Sequence, residues 1–301
     1  MKDGRIIIVN SFKSNFLAWV RWQYVKLFQR GRMLSSTLPG GLTISFRQTD
    51  RFAKSLIRGR TSEPEYTRLI QAMLKPGMVY IDIGAHIGQY VLIGAQLVGS
   101  HGQVHAFEPT PDTFELLEAN IRQNNLSWCT ANPLAVCDLA GQTLRLQLCA
   151  PGKEAFNALC RPLRPDQQIL GATDVQTVTI DSYCQERRID RVDFIKIDVN
   201  GPELMVVRGA ERVLRQHKPV LVCEFNNQTH SYSGYQPTDL IRHLQERGYD
   251  LFEFDSDRMD LVSCTTTQFP ETVNLVAVHR QHGLRSGGAP GVIHLASSPG
   301  A

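Results

Sequence analysis

From residue 78 onward the chain alternates short apolar runs with longer amphipathic ones, and that alternation restricts it to few architectures. Residues 79–83, 103–107, 134–136, 192–197, 220–225, 249–254 and 273–278 read as strands. Residues 87–98, 111–124, 202–215 and 238–247 read as the helices between them, the third with Pro202 in its first turn. Residues 143–148 and 175–180 read as two further alternating strands. Repeated strand–helix units predict an α/β fold on a doubly wound, mostly parallel sheet. Ligands of such sheets bind beyond the carboxyl ends of the strands, where the strand order reverses. Polar residues at strand ends are therefore the first place to look for function.

The chain has 301 residues, enough for one large domain or two modest ones. Its 42% hydrophobic and 20% charged content is that of an ordinary globular protein, not a collagen-like or disordered one. No stretch reaches the ~18–20 apolar residues of a membrane-spanning helix. Charge is unevenly placed. Residues 1–60 hold 12 Lys and Arg against 2 Asp, and residues 61–301 hold 20 against 27 Asp and Glu. Residues 1–60 are accordingly read as a basic amphipathic extension, 61–280 as the main domain, and the Gly/Ser/Pro-rich 281–301 as a disordered tail. Within the extension, Phe12, Phe16, Trp19, Val25 and Phe28 recur at helical spacing beside Lys13, Arg21, Lys26, Arg30 and Arg32. A helix over 10–34 is expected to pack on the domain or to lie on an anionic membrane surface. The seven cysteines include no C-x-x-C pair and the histidines show no ligand spacing, so neither a disulfide framework nor a metal is expected. These features predict a cytoplasmic protein, with peripheral contact to an anionic membrane through 10–34 as the alternative to packing on the domain, and they leave its oligomeric state open.

The chemistry concentrates after three of the strands. Asp82-Ile83-Gly84-Ala85-His86-Ile87-Gly88 joins the first to a helix, and Glu108 lies twenty residues past Gly88 at the end of the second. Gly84 permits a tight turn, and a carboxylate at Glu108 can accept both hydroxyls of a ribose. Together they indicate a nucleoside-containing cofactor. The turn lacks the full G-x-G-x-x-G set that a pyrophosphate needs, and no Walker A lysine is present. S-adenosylmethionine, which carries no phosphate, fits better than a nicotinamide dinucleotide. Lys196 and Asp198 end the fourth apolar strand, with Glu203 in the turn of helix that follows, and Glu224 ends the fifth. Methyl transfer needs alignment and a proton acceptor, for which Asp198 is the first choice and His86 and Glu224 the next. Asp82, Gly84, Ala85, His86, Gly88 and Tyr90 are expected to line the methionine end of the cofactor, Glu108 to hold its ribose, and Ala135 or Asp138 to face the adenine. Asn157, His230 and Tyr232 are candidate cover residues over the site.

Y-I-D-I-G-A-H-I-G-Q-Y (80–90), A-F-E-P-T-P (106–111), N-I-R-Q-N (120–124), A-V-C-D (135–138), F-I-K-I-D-V-N-G-P-E-L (194–204) and R-G-A (208–210) occur in an order that resembles the FkbM family of S-adenosylmethionine-dependent methyltransferases. The resemblance runs from about residue 60 to 280. It implies a class I methyltransferase (Rossmann-like) fold with an antiparallel C-terminal strand. It also implies O-methylation of a hydroxyl on a sugar, glycolipid or natural-product acceptor. Two positions depart from the family's usual pattern: His86 stands in place of Asn, and Asn200 in place of the acid in D-V-E-G. The second leaves a non-catalytic cofactor-binding module on the same fold as the alternative. A nucleic-acid substrate is not expected, because no N/D-P-P-Y/F-type motif follows the fourth strand.

Overall fold

The computed structural model describes residues 7–9, 22–23, 31–149, 169–199, 201–226, 234–264, 272–284 and 291–295. The strands are β1 (Ile7–Val9), β2 (Met33–Thr37), β3 (Thr43–Arg47), β4 (Val79–Ile83), β5 (Gln103–Phe107), β6 (Cys129–Asn132), β7 (Leu134–Val136), β8 (Thr143–Cys149), β9 (Ile169–Val178), β10 (Phe194–Ile197), β11 (Val220–Asn226), β12 (Tyr249–Asp255), β13 (Asp260–Ser263), β14 (Thr272–His279) and β15 (Val292–His294). The helices are α1 (Ala53–Ile57), α2 (Pro64–Met73), α3 (Gln89–Val98), α4 (Pro111–Gln123), α5 (Ile180–Glu186), α6 (Glu203–Arg208), α7 (Glu211–Gln216) and α8 (Pro237–Glu246).

Nine strands form the central sheet in the order β15-β13-β12-β14-β11-β10-β4-β5-β6. The pairs from β6 through β11 are all parallel, and β14 runs antiparallel to both β11 and β12. This is the class I methyltransferase arrangement. The order reverses between β4 and β10, so the loops after those two strands open onto one crevice.

Each central strand is buried on both faces, and successive residues sort to opposite sides as the pleat requires. Tyr80, Phe194 and Val222 join one core with Leu34, Phe46 and Leu92. Ile81, Ile195 and Leu221 join the other with Val207, Leu214 and Leu244. These runs are continuous apolar stretches because helices cover both sides of the sheet.

Three readings are corrected. The third strand of the sheet is β6, and 134–136 pairs instead with β9 in a separate three-stranded sheet of order β7-β9-β8. Pro133, which has no amide hydrogen, separates the two. The helix expected over 202–215 is two helices, α6 and α7. Gly209 breaks it where the backbone presses on the Cys137 carbonyl, from which an added Cβ would lie only 2.1 Å away. The helix expected over 10–34 does not include its last residues: Gly31 has a left-handed φ of 74°, and Met33 opens a strand. Residues 10–21 and 24–30 of that span lie outside the described residues, as do Asn157, Asn200, His230, Tyr232 and most of 281–301. Among the described residues no helix is long and apolar enough to cross a membrane.

The β2–β3 hairpin, placed by sequence in the extension, packs into the body. Leu34, Ile44 and Phe46 share a core with α3, and α4 fastens the hairpin through Asn120. The Asn120 amide accepts from the Ser45 N–H at 2.7 Å and donates to the carbonyls of Ser45 (3.0 Å) and Ile87 (2.8 Å). Asn120 is fully buried, so a truncation leaves these groups without partners or water. Asn120→Ala is expected to cost about 2–3 kcal/mol, each orphaned buried group contributing roughly 1 kcal/mol or more. Urea unfolding of the two proteins side by side measures it.

Candidate active site

The last apolar row across the sheet is Phe107, Ile83, Ile197, Cys223 and Leu275, register partners on β5, β4, β10, β11 and β14. One residue further along lie Glu108, Gly84, Asp198, Glu224 and Asn274, the last two being register partners themselves. The groups singled out from the sequence therefore stand in one line along the carboxyl edge.

Gly84 and Ala85 both donate their N–H to the Phe107 carbonyl at 3.0 Å, which folds the turn back over β5. Gly84 has φ 81°, and an added Cβ would fall 1.8 Å from the Asp198 carbonyl oxygen. Only glycine permits that close approach. The Asp198 N–H in turn donates to the Ile83 carbonyl at 2.9 Å. Gly88, φ 91°, starts α3 and abuts Leu117.

Glu108 is buried and held at both oxygens. The His86 N–H donates to Oε2 at 3.0 Å and the Thr110 N–H to Oε1 at 2.9 Å. Each oxygen keeps a further lone pair for a ligand. His86 thus serves this carboxylate through its backbone, in a left-handed conformation (φ 50°). Its ring meets Phe52 edge-to-face at 5.4 Å, and Nδ1 is buried without a hydrogen-bond partner.

The centre of the crevice is a charge cluster. Lys196, only 4% exposed, places Nζ 3.4 Å from Asp82 Oδ1 and 3.0 Å from Asp198 Oδ2. Burial acts to discharge the lysine, but the charges of Asp198 and Asp82 outweigh it and raise its pKa. Burial raises Asp82 despite that partner. Burial would also raise Asp198, yet the Lys196 ammonium and hydrogen bonds from Glu224 and Lys196 hold it below the usual carboxylate range. Glu224 is driven the other way, up to about 9, first by the Asp198 charge and then by burial. One carboxyl of this hydrogen-bonded pair is ionised at neutral pH and the other is not.

Several residues complete the site that strand-end reasoning does not reach. The crevice is lined by Glu63, Tyr66, Lys196, Asp198, Glu224 and Asn274. Glu63 and Tyr66 come from the start of α2, and the Tyr90 hydroxyl donates to Glu63 Oε2 at 2.9 Å. Ser62-Glu63-Pro64-Glu65 carries a helix-start signal and nothing local that marks a ligand site. The adenine candidates lie apart from the line. The Ala135 side chain packs against Leu146 and Val175 in the small sheet, which leaves only its backbone for a ligand. Asp138 keeps one buried oxygen, Oδ1, without a hydrogen-bond partner. Glu203 is buried at the start of α6, where it accepts from the Gly201 N–H at 2.8 Å and the Tyr235 hydroxyl at 3.0 Å. Burial raises it to about 7. Among the described residues no group of three or more His, Cys, Asp or Glu could hold a metal ion.

The FkbM methyltransferase domain model matches residues 82–251, more than half of the chain. The hexuronic acid methyltransferase AglP of Haloferax volcanii is 25% identical over 190 residues, covering 63% of this chain and 71% of that one. The 2-O-methyltransferase NoeI of Sinorhizobium fredii is 26% identical over 219 residues, covering 69% and 87%. The 31-O-demethyl-FK506 methyltransferase FkbM of Streptomyces tacrolimicus is 28% identical over 197 residues, covering 58% and 74%.

The raised Glu224 makes stability depend on pH with a definite sign. The folded state keeps a proton that the unfolded chain has lost above the ordinary carboxyl pKa, so stability falls as pH rises toward about 9. Between about pH 7 and 8.5 Glu203, raised to about 7, and the buried cysteines add to the same fall at the two ends of the window, and the Glu224 proton contributes up to about 1.4 kcal/mol per pH unit throughout it. Glu224→Gln is expected to flatten the slope in that window, as read by denaturant unfolding at several pH values.

Proposed function

The chain belongs to the FkbM methyltransferase family, and from that premise we propose that it is an S-adenosylmethionine-dependent O-methyltransferase. Its acceptor is a hydroxyl on a sugar, glycolipid or natural product. The observation that carries this reading is the line of groups at the carboxyl edge of the sheet. It sets a two-oxygen ribose acceptor, Glu108, on one side of the glycine turn and an ionised carboxylate, Asp198, on the other. The names of the relatives, a hexuronic acid, a 2-O- and an FK506 methyltransferase, support a hydroxylated small-molecule or glycan acceptor.

The donor fits the residues present. Glu108 has unused lone pairs at both oxygens, as a ribose diol requires. The backbone of Gly84–Gly88 bends beside it without the close glycine set a pyrophosphate needs. Asp82 lies under the turn and acts through Lys196. Tyr90 bounds the methionine end together with the Ala85–His86 backbone. Bound S-adenosylmethionine supplies an electrophilic methyl on a sulfonium.

Transfer breaks the sulfur–methyl bond, forms an oxygen–methyl bond and frees the acceptor's hydroxyl proton. Two carboxyls with pKa values pushed apart give an assignment of roles. Asp198 is the charged one at neutral pH and accepts the hydroxyl hydrogen bond. Glu224 keeps its proton and donates to Asp198, which fixes that carboxylate's orientation. His86 stands next to Asp198 as the second candidate base. Alignment of the acceptor by this pair is the larger contribution, since a carboxylate held at low pKa is a weak base.

Calorimetric titration with S-adenosylmethionine tests the cofactor half. Glu108→Ala is expected to lose at least about tenfold in affinity, the size of one charge-assisted hydrogen bond of roughly 1.5–3 kcal/mol. On a hydroxylated acceptor found by screening, Asp198→Asn is expected to lower kcat about 100-fold, within the usual range for a general base. Donor binding without turnover on any acceptor favours the non-catalytic module instead.

A further inference from the structure

Resting on the methyltransferase reading above, we propose that Glu203 is a positioning residue for methyl transfer. Carrying a proton, it turns the Tyr235 hydroxyl onto the Gly201 carbonyl and so fixes the turn that presents Asp198. Ionised, it takes that hydroxyl for itself and releases the turn.

Hydrogen-bond accounting carries this. Glu203 opens α6, only 2% exposed, and Gly201 lies three residues past Asp198. The Gly201 N–H donates to Glu203 Oε1 at 2.8 Å. Tyr235, just ahead of α8, brings its hydroxyl to the Gly201 carbonyl and to within 3.0 Å of Glu203 Oε2. The same hydroxyl accepts from the Leu204 N–H at 3.2 Å. A phenol has one hydrogen to give and room to accept two, while the Gly201 carbonyl only accepts. The contact between Tyr235 and Glu203 runs in either direction. Both oxygens are served together only when Glu203 brings a hydrogen of its own. Glu203 then donates to Tyr235, and Tyr235 donates to Gly201. An ionised Glu203 competes for the single phenol hydrogen and wins it, because a charged acceptor makes the stronger bond. The buried Gly201 carbonyl loses this donor. Three peptide units separate it from the carboxylate that meets the acceptor, and alignment supplies much of the rate of such a transfer.

The surroundings set where the proton leaves. Burial resists ionisation of Glu203 and the Asp198 charge adds to it, against the pull of the Gly201 N–H and Tyr235, which brings the carboxyl to about 7. Cys223 on β11 and Tyr235 also face it, and burial raises both, so neither ionises in this range. The Lys196 ammonium is engaged by Asp82 and Asp198 instead. The proton is present below this midpoint and lost above it, so the hold on Gly201 weakens as pH rises through about 7.

Two measurements on the full chain test the proposal. The first needs no ligand. In nuclear magnetic resonance the Gly201 and Leu204 amide signals are expected to titrate with a midpoint at about 7. In Glu203→Gln they are expected to stay fixed, because the amide donates to Tyr235 and accepts from Gly201 at every pH. The second is kcat on a hydroxylated acceptor found by screening, at about pH 6 and about pH 8. The wild-type value is expected to fall about three- to tenfold, the worth of one neutral hydrogen bond, and that of Glu203→Gln by less than about twofold. S-adenosylmethionine affinity is expected to be the same in the two proteins at each pH. Should Glu203→Gln not fold, Tyr235→Phe replaces it: kcat is expected to be low already at the lower pH and to fall no further. Wild-type amide signals without a midpoint in this range overturn the proposal. So does a fall in kcat that either variant shares in full. No turnover at any pH removes the methyltransferase reading and the positioning role with it, and the Gly201 titration, which needs neither donor nor acceptor, tells that failure from the others.

Discussion

A lysine almost sealed from water has to be neutralised where it stands, and the rest of the site follows from how that is done. Lys196 lies at the end of the central strand β10, with Asp82 as its register partner on β4 and Asp198 two residues ahead, just past the strand. A buried ammonium left unpaired would cost several kcal/mol or lose its proton. The pairing therefore fixes the register of β4 against β10, since a one-residue slip would carry Asp82 to the opposite face. It also fixes the crossing above. With that register Gly84 comes level with Asp198, and the two backbones approach so closely that no side chain fits between them. The glycine turn, the charge cluster and the topological switch are one arrangement viewed at three heights.

Much of this was legible in the sequence because it is written in strands. A short apolar run, a glycine turn and an acid at the end of the next run are local patterns, and they located Gly84, Gly88, Glu108 and Asp198. Glu63 was not legible. It lies 19 residues before Asp82 in a helix-start pattern, and only the packing of α2 on α3 brings it to Tyr90. The β2–β3 hairpin was hidden for a related reason. Its two five-residue strands follow a segment whose helical periodicity is strong, and their pairing depends on docking to α4 through Asn120 and Asn124. The run Asn120–Asn124, which helped to mark the family, is thus a structural fastening rather than a ligand contact. The third strand was misplaced because β6 reads Cys-Thr-Ala-Asn, with little β-branched character, while the neighbouring Leu-Ala-Val is apolar and belongs elsewhere.

The departures from the family pattern bear unequally on the chemistry. At position 86 the backbone N–H is what Glu108 uses, and any residue able to adopt φ near 50° supplies it. Asn does so readily, and His is tolerated there too. The change is therefore conservative toward the ribose acid. Its effect is confined to the ring, which packs on Phe52 and stands near Asp198.

The pair Asp198 and Glu224 shows how parallel register can set up acid–base chemistry without a dedicated loop. Ile197 pairs with Cys223, so Asp198, one residue past the end of β10, stands beside Glu224, which is still paired within the sheet. Two carboxyls placed so close cannot both be ionised without heavy cost. Which one keeps its charge is decided two rows below, by Lys196, whose ammonium reaches Asp198 at 3.0 Å. The ammonium, with the hydrogen bond from Glu224, lowers Asp198 against its burial, while the Asp198 charge and burial raise Glu224 against the weaker pull of that same ammonium. The division of labour proposed for methyl transfer is thus a consequence of strand order. β10 contributes both the cation and the carboxylate it stabilises, and β11 contributes the partner that must stay neutral. Without Lys196 the asymmetry between the two carboxyls would shrink. Neither would then be committed to accept a hydrogen bond from the substrate.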